Sequence, residues 1–553
     1  MKKIKITFAD KTTIEVEESI KPFTLINRLK TDKDENKKML AVLVNNKLCS
    51  LEDSVDISAN LEAVYEDSKL GSLVYRRSLC FLLAAACHNI YPQAHLLVGH
   101  SLGYGYYYTL SNDIKLPSDY TQKLTDEMNR LIKEDLPIKT NFISYEEACT
   151  LFEKLNLTET RKQLNFHCPD RIEINTLEEF SDLYFGPLAP STSCLHLFEL
   201  RPYHEGFLLR FPAKSNTEKL TEFKDEPKLF EIYRRYKNWG KRLNVTSAAS
   251  LNELIHNRKQ NEFIDISETL QTKCIAEIAQ QIADKKTAKV VLIAGPSSSG
   301  KTTTSKKLAL QLQALGYRPK VISLDNYYVG RERNPKDENG NYDYECLEAL
   351  DIELLNNDLL ELFKGNTVDI PSYNFDKGER YYNGKKMQLE ENDILIMEGI
   401  HGLNDKLTPL IPPEKKFKIY LSALTQLNLD DHNRIATSDN RLIRRIVRDA
   451  KFRGKSAAAT ISMWENVQKG ERLHIFPFQN NADAMLNTAL DYELPVLKVY
   501  ATPLLRCVTP LQKEYAEAQR LLDFLNYFSQ IPATAVPDHS IIREFIGGSA
   551  FKY

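Results

Sequence analysis

The stretch Lys289-Val290-Val291-Leu292-Ile293-Ala294-Gly295-Pro296-Ser297-Ser298-Ser299-Gly300-Lys301-Thr302-Thr303-Thr304 decides the fold of the back half of this chain. A short apolar run rich in β-branched residues reads as a buried strand, Gly295 to Thr302 match GxxxxGK[ST], and the residues on to Leu315 read as a helix. Small residues at this spacing let consecutive backbone N–H groups wrap a phosphate at a helix N-terminus, where the helix dipole adds to them. Lys301 then reaches the β/γ-phosphates and Thr302 offers a hydroxyl to Mg²⁺. Gly295, Pro296, Ser297, Ser298, Ser299, Gly300, Lys301, Thr302 and Thr303 are the expected phosphate cradle.

Outward from the loop, two further apolar runs end in acids. Lys320 to Leu324 leads into Asp325-Asn326-Tyr327-Tyr328, and Asp393 to Met397 leads into Glu398-Gly399-Ile400. An acid at the carboxyl end of a parallel strand lies in the crevice where such sheets bind ligands. Either acid alone would more often solvate or cap a strand end; the pair beside a phosphate loop points to chemistry. Farther on, Arg441, Arg444, Arg445 and Arg448 recur at i, i+3, i+4 and i+7, one face of a helix, with Leu442, Ile443, Ile446 and Val447 on the other. A charged face is usually only solvated, but Asp449 is the one acid nearby. The arginines are therefore expected to be unpaired within the helix and to close as a lid over phosphates, with Arg448 and Arg453 as the strongest candidates.

These pieces, in this order, resemble the uridine kinase and phosphoribulokinase group of P-loop kinases over about residues 288–490. The resemblance is carried by GPSSSGKTTT, LDNYY, Asn341-Tyr342-Asp343 through Ala349-Leu350-Asp351, Ile370 to Phe375, Ile396 to Ile400 and the Arg-rich helix ending in Arg453-Gly454-Lys455. It implies ATP as phosphate donor and Mg²⁺ held by Thr302 and, partly through water, by Glu398. It also implies that Asp325 is the base that takes the proton from the acceptor hydroxyl, assisted by Lys301, Arg448 and Arg453. On the acceptor side it implies Asp343 at the ribose hydroxyls, Tyr373 and Phe375 around the nucleobase, and Arg380 and Arg444 among the substrate contacts. Uridine kinases follow their Tyr-x-Phe with a His that reads the pyrimidine; here Asp376-Lys377-Gly378-Glu379-Arg380 stand there, which predicts looser base selection. A segment at about Ser422–Asn440, containing Asp430-Asp431-His432-Asn433-Arg434, is an insertion expected to reshape the acceptor pocket.

Residues 1–67 alternate as strand, strand, helix, strand, strand and resemble the ubiquitin-like TGS domain of threonyl-tRNA synthetases. Residues 68–240 resemble the editing domain that follows it, on the helix Tyr75–His88, Tyr91-Pro92 through Gly99, Gly105 to Tyr108, the helix near Asp119–Glu134 and Ser181 to Pro187. The synthetases' HxxxH and later Cys/His pair correspond here to Arg77, Phe81, Tyr184 and Leu188, which cannot bind metal or shuttle protons in their place. Editing hydrolysis is therefore not expected. His88, His95 and His100 read as ordinary helix and loop residues. Residues 241–287 read as a helical connection, 288–500 as the P-loop domain, and 501–553 as a helical extension whose tail, Arg543 to Ser549, has no assigned chemistry.

The whole 553-residue chain is then multidomain α/β and α+β: an N-terminal β-grasp, an α+β synthetase-like second domain and a C-terminal P-loop α/β kinase domain with a parallel sheet. Lys+Arg 73 against Asp+Glu 75 leaves a net charge of −2, so no bulk positive field exists to hold nucleic acid, and any RNA contact through the front half gains no support from charge. The longest apolar run, Leu79–Cys87, is nine residues against the roughly 20 needed to span a bilayer, so no membrane span is expected. The start, MKKIKITFADKTTIEVEE, lacks the apolar core of roughly seven or more residues of a secretory signal. Nine scattered cysteines without a CxxC pair suit a reduced cytoplasm. The expected activity is phosphorylation of the 5′-hydroxyl of a nucleoside, uridine or cytidine. The alternatives are a kinase of another small alcohol (a purine nucleoside or sugar phosphate) and an RNA- or ribosome-associated nucleotide-dependent regulator; a homo-oligomer is left open.

Overall fold

The computed structural model describes residues 2–29, 37–111, 117–336, 338, 340, 342–374 and 377–552. At the front, β1 (Lys3–Phe8) turns at Asp10-Lys11 into β2 (Thr13–Glu17), followed by a short helix α1 (Ile26–Leu29), then β3 (Met39–Val44), β4 (Lys47–Cys49) and β5 (Ala59–Tyr65). The sheet order is β2-β1-β5-β3-β4, with β1 parallel to β5, and the alternating Ile4, Ile6 and Phe8 are buried beneath it. Strand β4 is an addition to the expected set. It forms because Asn45 and Asn46 both adopt positive φ, 48° and 61°, the backbone of a two-residue hairpin turn.

The second unit comprises α2 (Lys69–Ile90), β6 (His95–Ser101), β7 (Gly105–Ser111), α3 (Tyr120–Lys133), β8 (Lys139–Ile143), α4 (Tyr145–Lys154), α5 (Thr158–Gln163), β9 (Ile172–Leu177), β10 (Phe180–Asp182), β11 (Glu199–Tyr203) and β12 (Gly206–Arg210). Its strands form two sheets, β11-β12-β7-β6 and β10-β9-β8. Helix α2 is capped by Ser68, whose hydroxyl accepts from the Gly71 amide, and is longer than the expected Tyr75–His88. Among the described residues it alone is long and apolar enough to cross a membrane, yet 78% of its most apolar window is buried inside the protein. Strands β3 and β5, helix α3 and strand β10 pack along it.

Three helices lead onward: α6 (Pro227–Arg242), α7 (Ala248–His256) and α8 (Gln260–Asp284). Then come β13 (Val290–Ala294), α9 (Lys301–Ala314), β14 (Arg318–Ser323), α10 (Ile352–Phe363), the short strands β15 (Val368–Asp369), β16 (Ser372–Asn374), β17 (Glu379–Tyr381) and β18 (Lys386–Met387), and β19 (Asp393–Glu398) and β20 (Lys416–Ser422). The chain closes with α11 (Thr437–Phe452), α12 (Ala457–His474), β21 (Ala484–Asn487), α13 (Glu493–Arg506), α14 (Tyr515–Asn526) and α15 (Arg543–Ile546). The parallel sheet has the order β14-β19-β13-β20-β21. Strand β13 is apolar at every position because both faces of the sheet are covered: Val290 and Leu292 face the α10 side, while Val291 and Ile293 face α8 and α9. The helical connection is thus a layer of the P-loop domain, since Cys274, Ile275, Ile278 and Ile282 of α8 lie in the same cluster as Leu308 and Leu312 of α9.

Candidate active site

Strand β13 delivers the chain to Gly295 at the carboxyl edge of the sheet, and the loop 295–300 turns it into α9. A Cβ on Gly295 would sit 2.4 Å from the Leu421 carbonyl oxygen, so the close approach to β20 requires glycine. Gly300 caps α9 at φ +81°, again a backbone that favours glycine. Lys301 is folded onto its own loop, its ammonium donating to the carbonyls of Gly295 (3.1 Å) and Pro296 (3.2 Å). Thr302 Oγ1 donates to Glu398 Oε1 at 3.4 Å, which brings the ends of β13 and β19 together as their strand order requires.

Asp325 follows β14 on the far side of β19 and shares this edge. Burial raises its carboxyl pKa, against the opposing fields of Lys301, Arg453 and Arg448. Burial and the neighbouring Asp325 push Glu398 up to about 7. The hydroxyl of Thr302 and the carboxylate of Glu398 are hard oxygen donors, which suit Mg²⁺, a cation held by one or two carboxylates plus substrate phosphates.

The helix α11 departs from its expected role over half its length. Arg441, Arg444 and Arg445 are not an unpaired lid: acids distant in sequence meet Arg441 and Arg444, and Asp449, one turn along the same helix, meets Arg445 at 3.3 Å. Glu471 of α12 accepts from Arg441 Nη2 at 2.7 Å and from the Ser297 amide at 3.1 Å, while Arg441 Nη1 donates to the Ser297 carbonyl at 3.1 Å. Arg444, with a fully buried side chain, pairs with Glu493 (Nε to Oε2 3.0 Å) and donates to the carbonyls of Ser298 (3.2 Å) and Thr488 (2.8 Å). Thr488 Oγ1 donates to the Ser299 carbonyl at 2.6 Å, and Arg445 Nη1 to Ser297 Oγ at 2.7 Å. The three serine carbonyls of the loop are thereby gripped from behind, and of the loop amides that of Ser297 is held by Glu471 and that of Ser299 by the Pro296 carbonyl. Arg444 is accordingly a buttress of the phosphate loop and not a substrate contact.

The cleft in front of the loop has a volume of about 620 Å³. It brings together Lys301, Thr302, Asp325, Glu398, Arg448, Arg453, Asp343 and Tyr373. Arg448 bonds Asp449 at 3.0 Å and still lines the cavity; Arg453 is pushed down to about 10 by burial and by the charge of Arg448. Tyr373 packs on Tyr328, ring centroids 5.6 Å apart, and donates its hydroxyl to the Val329 carbonyl at 3.3 Å. Phe375, like Asp376 and Asn341, lies outside the described residues. Arg380 is absent from the cavity wall: it pairs with Asp351 at 3.0 Å, the residue that caps α10, and so is a structural contact and not a substrate one.

Sequence reasoning missed other cleft residues, among them Glu345, His474 and Glu544, while Arg445 and Lys455, named with the Arg-rich helix, do line the cleft. Burial and the charge of Glu471 push Glu345 up to about 7. His474 stands at the end of α12 with Nε2 3.8 Å from Asp343 Oδ2. Glu345 lies within the Asn341–Asp351 segment but was given no role there, and Glu544 comes from the tail that carried no assigned chemistry.

The insertion before α11 is likewise corrected. Asp430 to Asn433 turn away from the acceptor side and clamp the second unit: His432 Nδ1 lies 2.7 Å from Asp182 Oδ2, Asp431 accepts from the amides of Glu159 and Thr160 at 2.9 Å each, and Asn433 donates to the Leu183 carbonyl at 2.8 Å. The positions expected to correspond to the synthetase editing residues carry packed side chains. Phe81, Tyr184 and Leu188 are buried, the rings of Phe81 and Tyr184 meeting edge to face at 5.3 Å, and Arg77 donates to the Pro187 carbonyl at 2.9 Å.

Comparison with known proteins divides the chain in the same way. Residues 290–494 match the model of the phosphoribulokinase / uridine kinase family. The N-terminal region is similar to threonine–tRNA ligases: 34% identical over 164 residues to that of Desulforamulus reducens, covering 29% of this chain and 26% of the ligase. The ligase of Clostridium novyi is 29% identical over 191 residues, covering 34% of this chain and 30% of the ligase. The chain thus spans less than a third of the length of these relatives. Among solved structures, D-glycerate 3-kinase from Cryptococcus neoformans var. grubii aligns with 15% identity and a TM-score of 0.22 over 46% of this chain and 87% of its own. Residues 290–494 thus resemble the phosphoribulokinase / uridine kinase family, behind a region similar to part of threonine–tRNA ligases.

Proposed function

We propose that this protein is an ATP- and Mg²⁺-dependent kinase that phosphorylates the 5′-hydroxyl of a nucleoside, uridine or cytidine. The observation that carries the reading is Asp325, a carboxyl of raised pKa in the same cleft as Lys301, Arg448, Arg453, Asp343 and Tyr373. A nucleotide-driven switch has no use for an acceptor base. In the reaction, Asp325 takes the proton of the 5′-hydroxyl while that oxygen forms a bond to the γ-phosphorus and the bond to the β-phosphate oxygen breaks, releasing ADP. Lys301 exchanges its loop carbonyls for phosphate oxygens. Arg448 and Arg453 balance charge on the transferring group with water excluded. Mg²⁺, for which Thr302 and Glu398 are the holding residues, supplies charge neutralisation at the phosphates.

All nine cysteines are free thiols, in keeping with a reducing compartment, and we place the protein in the cytoplasm. Stacking on Tyr373 favours broad base acceptance, because an aromatic slot discriminates weakly where no polar group reads the base edge. The test is ATP consumption by the full chain against uridine, cytidine, inosine, guanosine, adenosine and a set of sugar phosphates. Turnover of two or more nucleosides with kcat/KM values within roughly 100-fold is expected. Turnover confined to a sugar phosphate refutes the nucleoside reading, and a single nucleoside favoured by more than roughly 10⁴ shows that a polar reader is present.

A further inference from the structure

The first turn of α9 is where the phosphate loop presents its remaining donors, and one of them is already taken. Thr303, one residue beyond the metal-facing Thr302, donates both its amide (3.0 Å) and its hydroxyl (2.7 Å) to Glu544 Oε2. The acceptor comes from α15, 241 residues away in sequence, and it lines the same cleft as Lys301 and Asp325. A carboxylate on the N-terminal amides of a helix is an anion in an anion site: it uses the same orphan donor and the same end of the helix dipole that a nucleotide phosphate would use. One amide hydrogen cannot serve two such acceptors at full strength.

The tail that carries Glu544 is firmly seated. Ile541, Ile542, Phe545 and Ile546 are all 2% exposed or less, Ile541 packs over Gly300 of the loop, and Lys451 of α11 donates to the Ile546 carbonyl at 2.6 Å. The backbone of α15 is therefore held, and the carboxylate alone has freedom to leave, by rotation of its side chain into the cleft that it lines. Lys306, one turn along α9 from Thr303, is close enough to feel the charge of Glu544.

We propose that Glu544 is a built-in competitor for nucleotide phosphate: its carboxylate occupies the Thr303 donors in the empty protein and is displaced when ATP binds, so that the C-terminal tail sets the affinity of the donor site. This rests on the nucleotide reading of the phosphate loop.

The test is calorimetric titration of the full chain with Mg-ATP and Mg-ADP, comparing wild type with Glu544→Gln, which keeps the shape and removes the charge. Glu544→Asp serves as a second variant, which keeps the charge but is one methylene too short to hold both Thr303 donors. Freeing the Thr303 donors should tighten nucleotide binding about tenfold, equivalent to about 1.4 kcal/mol, in both variants, with KM for ATP falling by a similar factor. Thermal unfolding of the empty variants shows that they are folded. Unchanged or weaker nucleotide binding in folded Glu544→Gln and Glu544→Asp overturns the proposal and leaves Glu544 as a helix cap. The two readings fail separately: a wild-type chain that binds no nucleotide, or a Lys301→Ala chain that binds as well as wild type, refutes the phosphate-loop reading itself.

Discussion

Arg444→Ala separates the two roles an arginine on α11 could have. As part of a lid, Arg444 would leave the fold intact when removed and cost only turnover. In the structure its side chain is fully buried, its partner Glu493 is 2% exposed, and its guanidinium also serves the carbonyls of Ser298 and Thr488. Truncation to alanine leaves Glu493 as a buried carboxylate without its cation, a loss of about 3–5 kcal/mol. For a domain of this size each kcal/mol moves the midpoint by about 2–4 °C, so a fall in Tm of about 6–20 °C is expected. The deficit should depend on pH in a defined sense. Burial already raises the pKa of Glu493, and Arg444 is the first influence that opposes it. Without Arg444 the folded state binds a proton at Glu493 that the unfolded state does not, so the variant loses stability as pH rises above the ordinary carboxylate range and recovers part of it toward pH 5. The double variant Arg444→Met with Glu493→Leu, which removes both charges, should regain most of the loss. Differential scanning calorimetry at several pH values decides it. An Arg444→Ala protein with a Tm within about 2 °C of wild type and no turnover would restore the lid and refute the buttress.

Asp325→Asn should leave ATP binding nearly intact and lower kcat by about 10² or more, the usual worth of a general base; loss of nucleotide affinity in parallel would make Asp325 a metal or structural residue. Arg380→Ala breaks a partly exposed pair with Asp351 away from the cleft, so stability should fall by no more than about 1 kcal/mol and KM for the acceptor should hold; a large rise in KM would return Arg380 to the substrate. Glu345 and Glu398 are pushed up to about 7, as is Asp491, and Asp430 to about 8. Each raised acid keeps a proton in the folded state that the unfolded chain gives up, so the empty protein should lose stability as pH rises from about 5 to 8, read as a falling Tm. Because Glu398 must be ionised to hold a cation, Mg-ATP should bind more tightly across the same interval, and affinity that instead falls with pH would count against Glu398 as a metal residue.

Local pattern was enough for much of this molecule. The strand-loop-helix around Lys301, the acids closing the strands at Asp325 and Glu398, and the β-grasp alternation of Ile4, Ile6 and Phe8 are all set by neighbours within a few residues. Each depends on side-chain period, on a turn's need for glycine, or on what a side chain can ligate. Tertiary structure decided the rest. That Arg444 supports the loop rather than the substrate depends on Glu493, 49 residues away; that Arg441 does so depends on Glu471, 30 residues away; and Thr303 meets Glu544 across 241. The Asp430–Asn433 insertion reads as a loop near the acceptor until packing brings it against Asp182 and Thr160. Periodicity in a sequence reports which face of an element is buried, but a buried charge is indifferent to where along the chain its partner lies, and only the packed fold selects among the acids that could reach it.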